Sequence, residues 1–300
     1  MNILITGGTG LIGSHLTKLL QAEGHIVKYL TRRKNGLNTN VQEYIWDINK
    51  KEIDSQAFQN TDAIIHLAGA GIVDQKWTIQ RKQEIISSRT ETLDLLHEYL
   101  KKTNHQVKVI VSASGIGYYG ADRKDELLDE NSTAGDDFVA QCCIAWEKSL
   151  EKIKDLGLRK VVVRIGIVLS DKGGALPKMT MPVKYFVGAP LGEGTQWVSW
   201  IHIDDLCQIF LKSILDIQTE GVYNAVAPEP VTNQVFNQQI AKAIHRPLWL
   251  PNVPKWVLKL LMGEMSELIT GGVKVENKRI ASLGFRYKFQ NLTTALKDLL

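Results

Sequence analysis

The residues best placed to do chemistry come early. Thr6-Gly7-Gly8-Thr9-Gly10-Leu11-Ile12-Gly13 follows the apolar run Ile3 to Ile5 and precedes an amphipathic stretch. Binding a phosphate calls for a tight turn, close approach of bare backbone and free N–H groups at a helix start. Glycines 7, 10 and 13 provide the turn, the approach and the helix–strand packing. The strand before and the helix after separate a dinucleotide fingerprint from an ordinary glycine turn. Sites that prefer NAD(H) place an acid about 20 residues further on, for the ribose 2′-hydroxyl. Here the second strand ends Tyr29-Leu30-Thr31-Arg32-Arg33-Lys34, without an acid and with two arginines. Their guanidinium forks suit a 2′-phosphate. The expected cofactor is NADP(H), with NAD(H) as the alternative; a solvated basic turn is the plainer reading of the arginines.

Such groups need a scaffold. Ile3 to Ile5, Ile26 to Leu30, Ala63 to Leu67, Val107 to Ser112 and Lys160 to Ile165 read as buried parallel strands, being apolar and bounded by turns or charged helices. Helices are expected over Leu11 to Glu23, roughly Gln75 to Lys102, and Asp137 to Asp155, in alternation with the strands. The fold class is α/β: a doubly wound parallel Rossmann sheet with a smaller, mainly helical C-terminal lobe. After Ser170 the texture changes. Loops are expected at Asp171 to Pro177 and Gly188 to Gly194, then a helix from about Ile203 and a strand at Val222 to Asn224. Residues 1–170 form the expected dinucleotide-binding domain, with 196–227 returning to it. Residues 171–195 and 228–300 form the substrate-side lobe.

The 300 residues are 44% hydrophobic and 23% charged, with a formal charge of +4. That composition excludes disorder, and scattered basic residues offer no groove for nucleic acid. Cys142, Cys143 and Cys207 make no CxxC or disulfide framework. Apolar runs fall far short of the roughly 20 residues of a membrane helix. With no secretory leader in view, a cytoplasmic protein without a membrane partner is expected.

Further stretches narrow the reading. They are His66-Leu67-Ala68-Gly69-Ala70, Ser112-Ala113-Ser114-Gly115-Ile116-Gly117-Tyr118-Tyr119-Gly120, Phe138-Val139-Ala140 up to Trp146-Glu147, and Trp200-Ile201-His202-Ile203-Asp204-Asp205-Leu206. Asn224 to Asn233 and Gly284-Phe285 complete the set. With the glycine loop they resemble the extended short-chain dehydrogenase/reductase superfamily. Within it they look like the atypical NAD(P)-dependent epimerase/dehydratase-like branch of "epimerase family" proteins, which has its own short C-terminal domain. The resemblance covers nearly the whole chain. It implies that Gly7, Thr9, Gly10, Leu11, Ile12 and Gly13 line the pyrophosphate and that Arg32 and Arg33 meet the 2′-phosphate. Asp47 would sit near the adenine, and Ala68 and Gly69 beside the nicotinamide ribose. A homodimer through a helix pair would be in the style of the superfamily.

One departure stands out. Such proteins hold a Tyr-x-x-x-Lys pair on one helix face, where the lysine acidifies the tyrosine for proton transfer. With Glu147 taken as the acid that follows, the lysine place is Cys143 and the tyrosine place Val139. Ser114 fits the serine that steadies a substrate hydroxyl, and Tyr118 or Tyr119 could take over the proton. Equally, both tyrosines could pack the pocket wall. Cys143 is a reactive thiol only if a neighbour polarises it, and otherwise core filler. His202 reads as a framework histidine and Asp204-Asp205 as a helix cap. No metal cluster or GxSxG elbow is present. Lys178, Tyr185, Gln196 and Trp197 are candidates for an interlobe substrate pocket.

The expected function is an NADP(H)-dependent oxidoreductase or epimerase-like enzyme acting on a small polar, nucleotide-sugar-like metabolite. The rival is a non-catalytic NADP(H) sensor acting through a protein partner. A polar enclosed pocket would favour the first, and an open apolar surface from Trp249 to Met262 the second.

Overall fold

The alternation of apolar runs and amphipathic stretches folds as expected. A computed structural model describes residues 1–34 and 40–300. β1 (Asn2–Thr6), α1 (Leu11–Ala22), β2 (Ile26–Thr31), β3 (Gln42–Asp47) and β4 (Glu52–Ile53) come first. Then follow β5 (Ala63–His66), α2 (Ile79–Lys102), β6 (Val109–Gly115), β7 (Asp122–Leu128), α3 (Phe138–Glu151), β8 (Arg159–Ile165) and β9 (Ile167–Leu169). All five predicted strands are present. α2 starts at Ile79 rather than near Gln75, because the Thr78 hydroxyl accepts the Arg81 N–H and caps it.

Eight strands form one sheet in the order β12-β8-β6-β5-β1-β2-β3-β4, where β12 is Gly221–Ala225. Every pairing is parallel except that of β3 with β4. The core is built from fully buried side chains such as Ile3, Leu4, Ile5, Ile64, Val111 and Val163. α2 packs beside α3, and α1 beside α5 (Ile203–Leu215). This is the doubly wound α/β sheet.

The second half carries shorter pieces. α4 (Ala175–Lys184) begins inside the stretch expected to be loop, and it contains Pro182. β10 (Trp197–Val198) pairs antiparallel with β13 (Val231–Thr232), and β11 (Trp200–His202) pairs parallel with β9. α6 (Asn233–Ala243), α7 (Lys255–Met262), α8 (Glu267–Thr270), β14 (Gly272–Val275), α9 (Lys278–Ser282) and α10 (Leu292–Leu299) finish the chain. β14 pairs with β7. A second apolar cluster joins Leu176 and Val183 to Trp200, Phe236, Ile240 and Leu296. Among the described residues no helix is long and apolar enough to cross a membrane.

α5 corrects one expectation. Its cap is His202, whose Nδ1 accepts the Asp204 N–H at 3.1 Å. Asp205 is buried and reaches elsewhere: its carboxylate accepts the N–H groups of Lys288 at 2.8 Å and Phe289 at 3.0 Å. Burial pushes the Asp205 carboxyl up, and these two bonds pull against that.

Candidate functional site

The sheet order reverses between β1 and β5. From β1 the chain winds outward through β2 and β3, and from β5 the other way through β6 and β8. A crevice opens at the carboxyl ends of strands at such a point, and ligands of open α/β sheets bind there. The loop between β1 and α1 lines it. Gly7 has φ +71°, and a Cβ there would lie 2.8 Å from the Leu67 carbonyl carbon. A Cβ on Gly13 would lie 2.4 Å from the Gly7 carbonyl oxygen. No other residue type closes this turn without moving backbone.

The Gly10 N–H donates to the Gly7 carbonyl at 3.1 Å. Gly10 precedes α1 without a side-chain cap, and the first turn holds no acid. Thr9 and Gly10 are exposed, while Leu11 and Ile12 are half-buried. The result is a bare-backbone cradle at the positive end of a helix dipole, which fits a pyrophosphate.

On one side of the cradle lie the ends of β2 and β3. Arg32 and Arg33 are exposed, in a turn where Thr31 Oγ1 donates to the Arg33 carbonyl at 3.0 Å. Asp47 ends β3, and its Oδ1 accepts the Lys50 N–H at 3.1 Å. On the other side lie the ends of β5 and β6. Thr6 Oγ1 lies 2.8 Å from His66 Nδ1 and accepts the N–H groups of Leu67 and Ala68, both at 3.2 Å. Thr92 Oγ1 lies 3.3 Å from His66 Nε2. Burial, with the Arg89 charge beside it, pushes the His66 pKa down to about 3. This neutral histidine fixes the start of the Ala68-Gly69 segment, where Ala68 is half-buried and Gly69 exposed.

Beyond β6 the three catalytic candidates separate. Ser114 Oγ donates to Glu147 Oε1 at 2.7 Å. Arg164, from the end of β8, grips the same carboxylate with two bonds of 2.9 Å. Its other nitrogen donates to the Tyr119 hydroxyl at 3.0 Å, and that hydroxyl donates to Asn224 Oδ1 at 2.8 Å. The Asn224 N–H in turn reaches Glu130 Oε1 at 2.8 Å.

Burial pushes the Tyr119 phenol up to about 12, against the opposing pull of Arg164. Tyr119 is fully buried and its hydroxyl is held between Arg164 and Asn224, as a framework tyrosine's would be. Tyr118 differs. Its ring lies 3.4 Å under the Arg164 guanidinium, and among the described residues its hydroxyl bonds to nothing. Burial lowers the Arg164 pKa, but the hydrogen bonds and charge of Glu147 outweigh it and leave the guanidinium raised.

Val139 and Cys143 of α3 lie close to the turn after β6. A Cβ on Gly117 would meet Val139 Cγ1 at 2.4 Å and Cys143 Sγ at 3.9 Å, so both residues face the turn that carries Tyr118. Cys143 is buried, and burial pushes its thiol up to about 12. It is a packed thiol, not a nucleophile. His202 stacks on Phe289 at 3.7 Å. Its ligand atoms come within 4.8 Å of Asp204 and Asp298. With Nδ1 accepting a backbone N–H, Nε2 carries the proton and faces the Asp298 carboxylate at 3.3 Å, an arrangement for a cap.

Of the expected pocket residues, Lys178 and Tyr185 are exposed on α4 and at its end. Gln196 Nε2 is spent on the carbonyls of Leu191 and Ile269, and Trp197 Nε1 on Asp125. Sequence reasoning missed Arg164. Its signal was there: a charged side chain inside the otherwise apolar run Val161 to Ile165 has to find a buried partner.

The comparisons with known proteins agree with this geometry. The model of the NAD dependent epimerase/dehydratase family matches residues 3–225, and a domain of unknown function, DUF1731, matches 253–299. The epimerase family protein YfhF of Bacillus subtilis is 35% identical over 300 residues, covering 100% of this chain and 98% of that one. Among solved structures, the human epimerase family protein SDR39U1 with NADPH is 32% identical at a TM-score of 0.87, covering 100% of this chain and 99% of that one. A nucleoside-diphosphate sugar epimerase from Corynebacterium glutamicum is 31% identical at 0.80, covering 99% of this chain and 57% of the other.

Proposed function

The chain belongs to the NAD-dependent epimerase/dehydratase family, and we propose that it is an NADP(H)-dependent oxidoreductase or epimerase-like enzyme acting on a small polar metabolite. The observation that carries this reading is the exposed Arg32-Arg33 pair at the end of β2, beside an uncapped helix N-terminus. The NADPH in the human relative's structure supports it. Gly7, Thr9, Gly10, Leu11, Ile12 and Gly13 would hold the pyrophosphate, Arg32 and Arg33 the 2′-phosphate, and Asp47 the adenine end. Ala68 and Gly69 would flank the nicotinamide ribose. When bound, the cofactor supplies or accepts a hydride. The protein's share is then proton handling and orientation. Tyr118 offers its phenol for the proton: its ring lies against the Arg164 guanidinium, and among the described residues its hydroxyl bonds to nothing. Ser114, whose own proton is directed at Glu147, accepts a hydrogen bond from the substrate hydroxyl.

Replacing Arg32 and Arg33 together by alanine should weaken NADPH binding by about 10- to 100-fold. NADH binding should stay within about twofold. Equal losses for both would overturn the 2′-phosphate assignment.

A second reading has its own observation. Trp249, Trp256, Leu260 and Leu261 are 64–77% exposed, an open apolar surface on the C-terminal lobe, and the resemblance would put Val139 and Cys143 in the places of the Tyr-x-x-x-Lys pair. Both features suit an NADP(H) sensor with a protein partner. Incubating the protein with NADPH or NADP⁺ in a deproteinised cytosolic extract separates the two. A metabolite that changes only with intact protein supports the enzyme, and tight cofactor binding without turnover supports the sensor.

A further inference from the structure

Arg89 sits on α2, where no part of the phosphate cradle or the Ser114 network uses it. Its guanidinium lies against the bare backbone of Gly69. A Cβ on Gly69 would come 3.1 Å from Arg89 Cζ and 3.3 Å from Nε. From the other side it lies 4.9 Å over the Trp146 ring. Nη1 is anchored, donating to the Ile85 carbonyl at 2.7 Å. Among the described residues Nε and Nη2 donate to nothing, and no acid pairs with the charge. A guanidinium held by stacking, the Ile85 carbonyl and a 3.5 Å bond from Nη1 to Ser88 Oγ, with Nε and Nη2 left over, is pre-organised for an incoming acceptor.

What that acceptor is follows from the fold. A dinucleotide laid across the β1/β5 switch point puts its adenosine half over β2 and β3, where Arg32, Arg33 and Asp47 lie. Its other half must lie over β5 and β6, along Ala68-Gly69 and the turn after Ser114. Arg89 is beneath that exposed glycine. Its charge is near enough to oppose protonation of His66 and to favour the thiolate of Cys143.

We infer that Arg89 is a binding residue for the nicotinamide-side ribose, donating from its free guanidinium nitrogens to the ribose hydroxyls past the bare Cα of Gly69. The inference rests on the NADP(H) reading and adds to it a cation on α2. The cationic task on this side of the crevice has moved from α3 to α2. Gly69 is part of the device, because any side chain there displaces the guanidinium.

Calorimetry with two probes tests it. NADPH carries both halves, whereas adenosine 2′,5′-bisphosphate carries the adenosine half and its phosphates only. In Arg89→Gln, NADPH affinity should fall by about tenfold or more, the loss of a charge-assisted bond pair. Affinity for the bisphosphate should stay within about twofold, which also reports that the variant is folded. Arg89→Lys should recover part of the loss, and Gly69→Val should reproduce the Arg89→Gln pattern. Equal losses on both probes, or no loss on either, would overturn the inference and leave the cofactor reading standing. Failure of the unaltered protein to bind NADPH would sink both.

Discussion

The two halves of the crevice obey different rules. The turn between β1 and α1 is made of backbone: Gly7, Gly10 and Gly13 are present because a Cβ would meet main-chain atoms, and α1 opens without a side-chain cap. The β6–α3–β8 half is made of side chains, with Glu147 accepting from both Ser114 and Arg164, and Tyr119 locked between Arg164 and Asn224. A backbone site has one solution, so its signature survives in the sequence. A side-chain site has many, so residue types alone do not give away which groups it brings together.

Three experiments can break or sharpen that contrast. The largest effect belongs to the side-chain half. The Arg164 and Glu147 side chains are only 4% and 14% exposed, so Glu147→Ala leaves a guanidinium buried without its partner. Urea unfolding should show a loss of about 3–5 kcal/mol. NADPH affinity of the folded protein should hardly change, and a large loss of binding would mean the two halves are one unit.

The backbone half should respond in the opposite way. Gly13→Ala presses a methyl on the Gly7 carbonyl, with a stability cost of about 2 kcal/mol and a fall in NADPH affinity of more than about tenfold. Gly24 is the control, with φ +78° and open space around its Cα. Gly24→Ala should cost only the left-handed strain of about 1–2 kcal/mol and leave binding untouched. Matching losses of affinity in both would refute the steric account.

The smallest effect concerns His66, at the seam between the halves. Its folded pKa of about 3 lies below the ordinary 6.5, so between those values the unfolded chain binds the extra proton. Its contribution is therefore complete above pH 6.5 and declines as pH falls toward 3. Each pH unit in that window removes about 1.4 kcal/mol. Melting temperatures at pH 7, 6 and 5 should fall more steeply for the parent protein than for His66→Gln. Parallel slopes would remove His66 from the account.

How far the sequence could be read follows the same division. The glycine loop, the five central strands and their helices announce themselves through local pattern. β3 does not: Gln42–Asp47 buries only alternate residues near the sheet edge, so it offers no continuous apolar run. β7 is hidden because Asp-Arg-Lys-Asp-Glu is mostly exposed and pairs with β14, some 150 residues later. α4 carries Pro177 and Pro182, which argue for a loop until Leu176, Thr180 and Val183 are seen packed on one face. In the candidate site, Ser114 was visible as a residue type but its carboxylate partner was not. Nothing local ties Glu147 to Arg164, and only the adjacency of β6 and β8 brings them together. Tyr118 and Tyr119 looked alike for the same reason, since burial is a property of the assembled fold.

The carboxylate of Asp205 has a meaning for synthesis. The two N–H groups that satisfy it lie 83 and 84 residues further along the chain. A nascent chain emerging from the ribosome can build the cofactor cradle early, because β1, α1, β2 and β5 are all made first. It cannot close around α5 until Lys288 and Phe289 arrive, since before then a buried acid has no donors. A product truncated before that point would keep α5 loose and open to proteases. The surroundings of α5 are thus complete only once residues more than 80 positions further along the chain are in place.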